Sequence, residues 1–309
     1  MSPRSNRRRW PVVVATAVAL LVPFTAPVTA TAAPVWRVVD LGAGDNSVAT
    51  AVNDLGHIVG ERDGTAFLLR HGQFVDLGPG QATDVNNRDE VVGNQFGAAF
   101  LWRDGVRTYL PPLPDGALTQ ATGINDRGDV VGFSSVGDYT LHAVRWRAGV
   151  VTDLGSGYQY SSQASDINNR GQVVGLLNLG PNFEEAPVRW WHGTLTQLHA
   201  PRGGAIAVSD SGAITGLHWG SWGAAGFLWH REEFIELPAL QPYGINDRVQ
   251  VVGAGSQGAV LWQDGQTTVL PVLVSTSVAY DINDRGLVVG YSSVQSNGLN
   301  SHAVLWARR

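Results

Sequence analysis

Trp219 and Trp222, with His218 beside them, form the segment of this 309-residue chain best equipped to hold a ligand. Two indole faces can stack on a sugar ring or a peptide side chain, and the imidazole adds a hydrogen-bonding group. Tyr139 beside Asp138, Tyr158 with Tyr160, and Phe183 ahead of Glu184 and Glu185 are further candidates of the same kind. Asp84, Asp166 and Asp281 offer different chemistry, since each stands two residues before an asparagine in a recurring segment. Converging carboxylates could hold Ca²⁺, which takes six to eight oxygens. Bonding to nearby backbone amides is the favoured alternative, so no metal and no cofactor are expected.

Other sites are weaker. Glu184 and Glu185 resemble a hydrolase pair only in composition, because adjacent loop residues point apart and no partner acid is identifiable. Arg127-Gly128-Asp129 spells an adhesion tripeptide, yet it falls inside a repeated turn that accounts for it. No Gly-x-Ser-x-Gly elbow, His-Glu-x-x-His pair or phosphate-binding Walker loop is present. No catalytic residue is therefore assigned.

The elements that must position these residues are set by self-similarity. The segment Val52-Asn53-Asp54-Leu55-Gly56-His57-Ile58-Val59-Gly60 recurs from Val85, Ile124, Ile167, Val208, Ile245 and Ile282, seven copies in all, at a mean period of about 38 residues. A second segment trails each copy and ends on Trp102, Trp146, Trp190, Trp229, Trp262 or Trp306, with Leu69 in that place in the first. A glycine turn and a short apolar stretch usually follow. Each unit thus offers four short strands, A to D, and the period suits one propeller blade.

The Asn-Asp-Arg-Gly link between A and B suits a type I turn closed by a left-handed glycine, with the asparagine side chain bonding the amide two residues on. Asp89 and Val249 take the glycine's place in two copies. Aspartate tolerates positive φ and a β-branched valine does not, so a different turn is expected at Val249. The strand-C tryptophans read as packing between blades, because they recur at one internal strand position.

The last copy stops after strand C, whereas Val35 to Gly42 reads as a strand D with nothing before it. These deficits complement each other if the amino-terminal strand (35–42) pairs into the last blade and covers its edge. The expected fold is all-β, a closed seven-bladed propeller of four-stranded antiparallel blades over residues 34–309. Preceding it, Arg4, Arg7, Arg8 and Arg9, an apolar run from Pro11 to Phe24, and small residues near Ala33 have the order of a secretory signal peptide (1–33). The run is too short for the roughly 20 residues of a spanning helix.

With no cysteine, neither disulfides nor a cysteine-based zinc site can hold the fold. A chain trimmed near Ala33 keeps 17 basic residues, all arginine, against 26 acidic, a net charge of −9. That balance disfavours nucleic acid and anionic lipid as partners.

The two repeated segments, with Ala or Gly before an apolar pair and tryptophan, resemble the HAF repeat family. The defining tripeptide reads His142-Ala143-Val144, His302-Ala303-Val304, Ala98-Ala99-Phe100 and Thr65-Ala66-Phe67 here. The resemblance covers about 35–309 and implies an extracellular repeat fold, without a catalytic motif to carry over. In a propeller the A-to-B and C-to-D turns share one rim and the B-to-C and D-to-A loops the other. The second set varies in length and composition, so the site is expected there. The reading is a secreted, monomeric, non-catalytic binding module for an extracellular carbohydrate or protein, without membrane insertion. The alternative is a secreted lyase or glycoside hydrolase with its site in the propeller mouth.

Overall fold

A turn opened by Asn in six copies and by Ser209 in the fifth folds strands A and B into a hairpin, and seven such hairpins surround a central channel in the computed structural model of the chain. The structure describes residues 35–137, 140–155, 161–180, 184–220, 223–298 and 300–308. The expected leader (1–33) lies outside them. Twenty-eight strands, β1 to β28, build seven four-stranded antiparallel sheets, and the described residues contain no helix. Blade 1 is β2–β5 (47–79), blade 2 β6–β9 (81–109), blade 3 β10–β13 (119–153) and blade 4 β14–β17 (162–197). Blade 5 is β18–β21 (203–237), blade 6 β22–β25 (240–269), and blade 7 is β26–β28 (277–308) with β1. The fold is a seven-bladed β-propeller.

Blade 7 takes its strand D from the other end of the chain. β1 (Trp36–Asp40) pairs antiparallel with β28 (Ser301–Arg308), Trp36 opposite Arg308 and Asp40 opposite Val304. The expected closure is thus the observed one. His302 of β28 reinforces it, with Nδ1 2.7 Å from Asp40 and Nε2 2.8 Å from Asp45.

Packing explains why the ring needs seven similar units. Each of seven buried apolar clusters draws on two adjacent blades, as where Val59, Leu68 and Leu77 of blade 1 meet Val91, Phe100 and Trp102 of blade 2. Ala49 and Phe67 meet Val289 and Ala303 at the closing interface. Trp102, Trp146, Trp190, Trp229 and Trp306 are buried, and Trp262 is half-buried. The indole N–H groups of Trp146, Trp190 and Trp306 donate to the carbonyls of Pro111, Leu154 and Pro271, just past strand D of the preceding blade. Strand A is bulged at one position in every blade. Beside that bulge its carbonyl presses on the glycine ending Val-Val-Gly, so a Cβ on Gly132 would overlap the Gln120 carbonyl.

The turn itself differs from expectation at one residue. Asp89 has φ 59°, and Val249 has φ 57° in the same turn, its amide donating to the Asn246 carbonyl as the Gly128 amide does to Asn125. The expected departure at Val249 does not occur. Asparagine clamps the turn from inside: Asn246 Oδ1 accepts the amides of Arg248 and Gln250, while its Nδ2 donates to Gln250 Oε1 and to the Asn283 carbonyl of the next blade. Those bonds are each worth about 1 kcal/mol. Together they outweigh a left-handed valine's cost of roughly 1–2 kcal/mol.

Candidate functional site

The asparagines that clamp the turns also join the blades. Nδ2 of Asn53, Asn86, Asn125, Asn168, Asn246 and Asn283 each donates to the carbonyl at the same position of the next blade, the last returning to Asn53. Ser209 stands in the seventh place. One residue on, Asp54, Asn87, Asp126, Asn169, Asp210, Asp247 and Asp284 line the channel mouth on this rim. Each accepts a backbone amide from the neighbouring blade. Asn87 and Asn169 place amide donors between aspartates. From Asp210 through Asp247 and Asp284 to Asp54 no such amide intervenes. Burial, with Asp247, Asp54 and Asp210 adding to it, pushes the Asp284 carboxyl above the usual range. The mouth is therefore strongly electronegative.

Asp84, Asp166 and Asp281 lie inside the channel wall, each bridging two blades. Asp84 accepts the amides of Val85 and Ile124, Asp166 those of Ile167 and Val208, and Asp281 those of Ile282 and Val52. The carboxylates stand beside the strand-A bulge, and small residues (Ala51, Gly123, Ala207, Gly244) hold the same strand-A position in the other blades. Among the described residues no group of three or more His, Cys, Asp or Glu is placed to hold a metal ion.

Burial raises all three carboxyls, against their amide bonds, to about 6 for Asp166 and Asp281 and well above the ordinary value for Asp84. An acid with a raised folded-state pKa holds its proton more tightly in the fold than in the unfolded chain. Its contribution to stability is complete below about pH 4 and is lost as pH rises through about 6. His302 acts in the same direction: Asp40 and then Asp45 hold its imidazolium above the ordinary value, and that contribution fades above about pH 6.5. A melting temperature lower at pH 8 than at pH 5.5 by about 5 °C or more is expected, with the gap reduced in Asp281→Asn. A profile flat or rising over that range contradicts the assignment.

The opposite end of the channel is framed by the bulged strand-A residues Thr50, Thr83, Thr122, Ser165, Ile206, Tyr243 and Tyr280. The three threonines bond the carbonyls of Ala82, Ala121 and Ala164 in the next blade. Tyr243, Tyr280 and Tyr291 instead form an aromatic group, with ring centroids 5.2 and 6.1 Å apart along the chain of contacts. Burial pushes the Tyr280 phenol up to about 12. Sequence reading passed over these tyrosines, although Tyr243 and Tyr280 are departures from a position that is Thr or Ser in four copies.

His218 and Trp219 close β19 (Ile214–Gly220) on opposite faces, because successive side chains of a strand alternate. His218 is buried against Phe234, ring centroids 5.4 Å apart, with Glu236 3.8 Å from Nε2. Trp219 is 54% exposed at the B-to-C rim. The expected pairing of His218 with Trp219 on one ligand is therefore broken by strand geometry, and only the indole reaches solvent. Trp222, Tyr139, Tyr158, Tyr160 and Phe183 lie outside the described residues. The described structure adds Phe96, 98% exposed at the tip between β7 (Val91–Gln95) and β8 (Ala98–Arg103), and Tyr109, 54% exposed at the end of strand D. The adhesion tripeptide is closed off, since the Asp129 side chain is 1% exposed and bound by Arg147 and Arg127.

Neither a known family model nor any curated protein sequence matches the chain. Solved propellers do match in shape. YCF48 from Cyanidioschyzon merolae is 14% identical with a TM-score of 0.53, the match covering 88% of this chain and 98% of that one. A YCF48 structure with D1 peptide bound is 11% identical, TM-score 0.52, over 88% and 95% of the two chains. The propeller domain of the trilobed protease from Pyrococcus furiosus, described as having an open velcro topology, is 9% identical, TM-score 0.51, over 85% and 97%. At these identities the likeness is one of fold.

Proposed function

We propose that this chain is an exported, non-catalytic binding module whose ligand, an extracellular carbohydrate or a protein segment, sits on the B-to-C and D-to-A rim. The observation that carries the reading is the placement of exposed aromatics. Among the described residues, the large hydrophobic side chains left exposed include three aromatics, Phe96, Tyr109 and Trp219, and all three stand at that rim. Aromatic faces in solvent cost free energy unless a ligand covers them, and stacking on a sugar or peptide is what they do well. The tyrosine group at the channel end lies towards the same rim. The buried acids Asp84, Asp166 and Asp281 are bound to backbone amides, which gives them a structural task instead of leaving them free for acid–base work.

Export rests on the order of basic, apolar and small residues before Pro34. It agrees with the extracellular setting implied by the HAF resemblance. The test is a glycan and peptide array probed with the protein beside Trp219→Ala/Trp222→Ala. A ligand retained by the parent and lost at least tenfold in the variant is expected, each stacked aromatic contributing about 1 kcal/mol. Undiminished retention by a folded double variant rules this rim residue pair out.

A further inference from the structure

We propose that a cleft on the A-to-B rim between blades 2 and 3 is a second site, which takes a tetrahedral oxyanion, the phosphate or sulfate of a ligand. Arg88, Arg103, Arg127 and Arg147 line it with Glu90, Asp104 and Asp129, around a volume of about 640 Å³. It lies on the rim opposite the exposed aromatics and does not depend on them.

Its construction departs from the repeat. The turn arginine is present in five copies, as Arg88, Arg127, Arg170, Arg248 and Arg285. Two residues further on stand Glu90 and Asp129 in blades 2 and 3, but Gln172, Gln250 and Leu287 in the other three. Only in blades 2 and 3 does that acid meet an arginine following the strand-C tryptophan. Arg103 Nε bonds Glu90 at 2.5 Å, and Arg147 grips both oxygens of Asp129 at 2.5 Å each. One arginine already neutralises each buried carboxylate.

Arg88 and Arg127 are then second cations on these acids, at 2.7 Å from Glu90 and 3.3 Å from Asp129, and Arg127 also donates through Nη1 to the Asn169 carbonyl of blade 4. All four guanidinium side chains are 44–57% exposed while the Glu90 and Asp129 side chains are 6% and 1% exposed. A guanidinium carries five N–H donors, and the carboxylates engage one or two of each. Gly128 forms the floor: a Cβ there would lie 2.8 Å from one Arg88 Nη2 and 3.3 Å from Arg103 Nη2, so these two groups converge over a turn that has no side chain. Buried acids that hold arginine forks with unused donors facing a concave surface are what recognition of a phosphate or sulfate requires. Asp104 at the rim leaves one net positive charge in a protein that is otherwise acidic, which selects a compact anion over a polyanionic surface.

The test is calorimetric titration with inorganic phosphate, sulfate, a sugar phosphate and a sulfated oligosaccharide at constant ionic strength. Saturable binding of at least one of these, beyond the effect of chloride, is expected. Arg88→Gln/Arg127→Gln leaves the Arg103–Glu90 and Arg147–Asp129 pairs in place, and should weaken binding about tenfold or more. Arg248→Gln/Arg285→Gln, at the same turn position elsewhere, should change nothing. If the double variant does not fold, the single variants carry the same expectation at a smaller factor. Tighter binding of the sugar phosphate or the sulfated oligosaccharide identifies an ester ligand, and equal binding a free ion; both uphold the site. Heat no greater than with chloride, or equal loss in both double variants, overturns it.

Discussion

Deleting residues 35–42 should lower the melting temperature by roughly 10 °C or more, because the strand removed completes blade 7. β1 contributes a full antiparallel ladder to β28, continued by the Leu41 amide on the Ala303 carbonyl. Trp36 and Val38 pack on the cluster of Leu261, Val304 and Trp306, and Leu41 on the cluster that joins blades 7 and 1. Arg308 lies over the Trp36 ring at 4.6 Å. The ladder bonds, at about 1 kcal/mol each, and the half-buried apolar side chains together exceed about 5 kcal/mol. Deletion also bares the edge of β28, so aggregation on heating should increase. A synthetic peptide of residues 35–42 added in excess should recover part of the loss by strand addition. An unchanged melting temperature would mean the ring is held without this strand.

Trp146→Ala and Trp306→Ala should each cost about 3–5 kcal/mol, measurable as a denaturant midpoint shift at constant slope. Both side chains are essentially inaccessible, at 1% and 0% exposure. Each also donates its indole N–H at 2.7 Å to a proline carbonyl of the neighbouring segment, which truncation leaves unpaired. Trp262 occupies the same repeat position but is only half-buried, so Trp262→Ala should cost distinctly less. Equal losses at the three positions would show that burial between blades is not what these residues provide.

Much of the fold is legible because its signals are local and sevenfold. The Asn-containing turn, Val-Val-Gly and the strand-C tryptophan mark hairpins within a few residues, and the unmatched start and finish of the repeats point to β1 joining β28. The same locality explains the misreading at Val249, where the turn was judged by the conformational freedom of one residue. The Asn246 clamp reaches Asn283, 37 residues away, and that contact is invisible in a single repeat. His218 and Trp219 illustrate a second limit. Adjacent in sequence, they read as one aromatic platform, but where the strand ends decides which of them is buried.

Repeat number, strand order, chain closure and the inter-blade role of the tryptophans were determined by the sequence alone, since each follows from periodicity and short-range stereochemistry. Only the tertiary structure decided how Asp84, Asp166 and Asp281 bridge bulged strands, which aromatics stay in solvent, and that four arginines from two blades line one cleft, with Arg88 and Arg103 over Gly128. Those outcomes depend on groups in adjacent blades, 40 residues apart for Asp84 and Ile124 and 229 for Asp281 and Val52, being brought together by blade packing. Short-range propensities do not encode such a meeting.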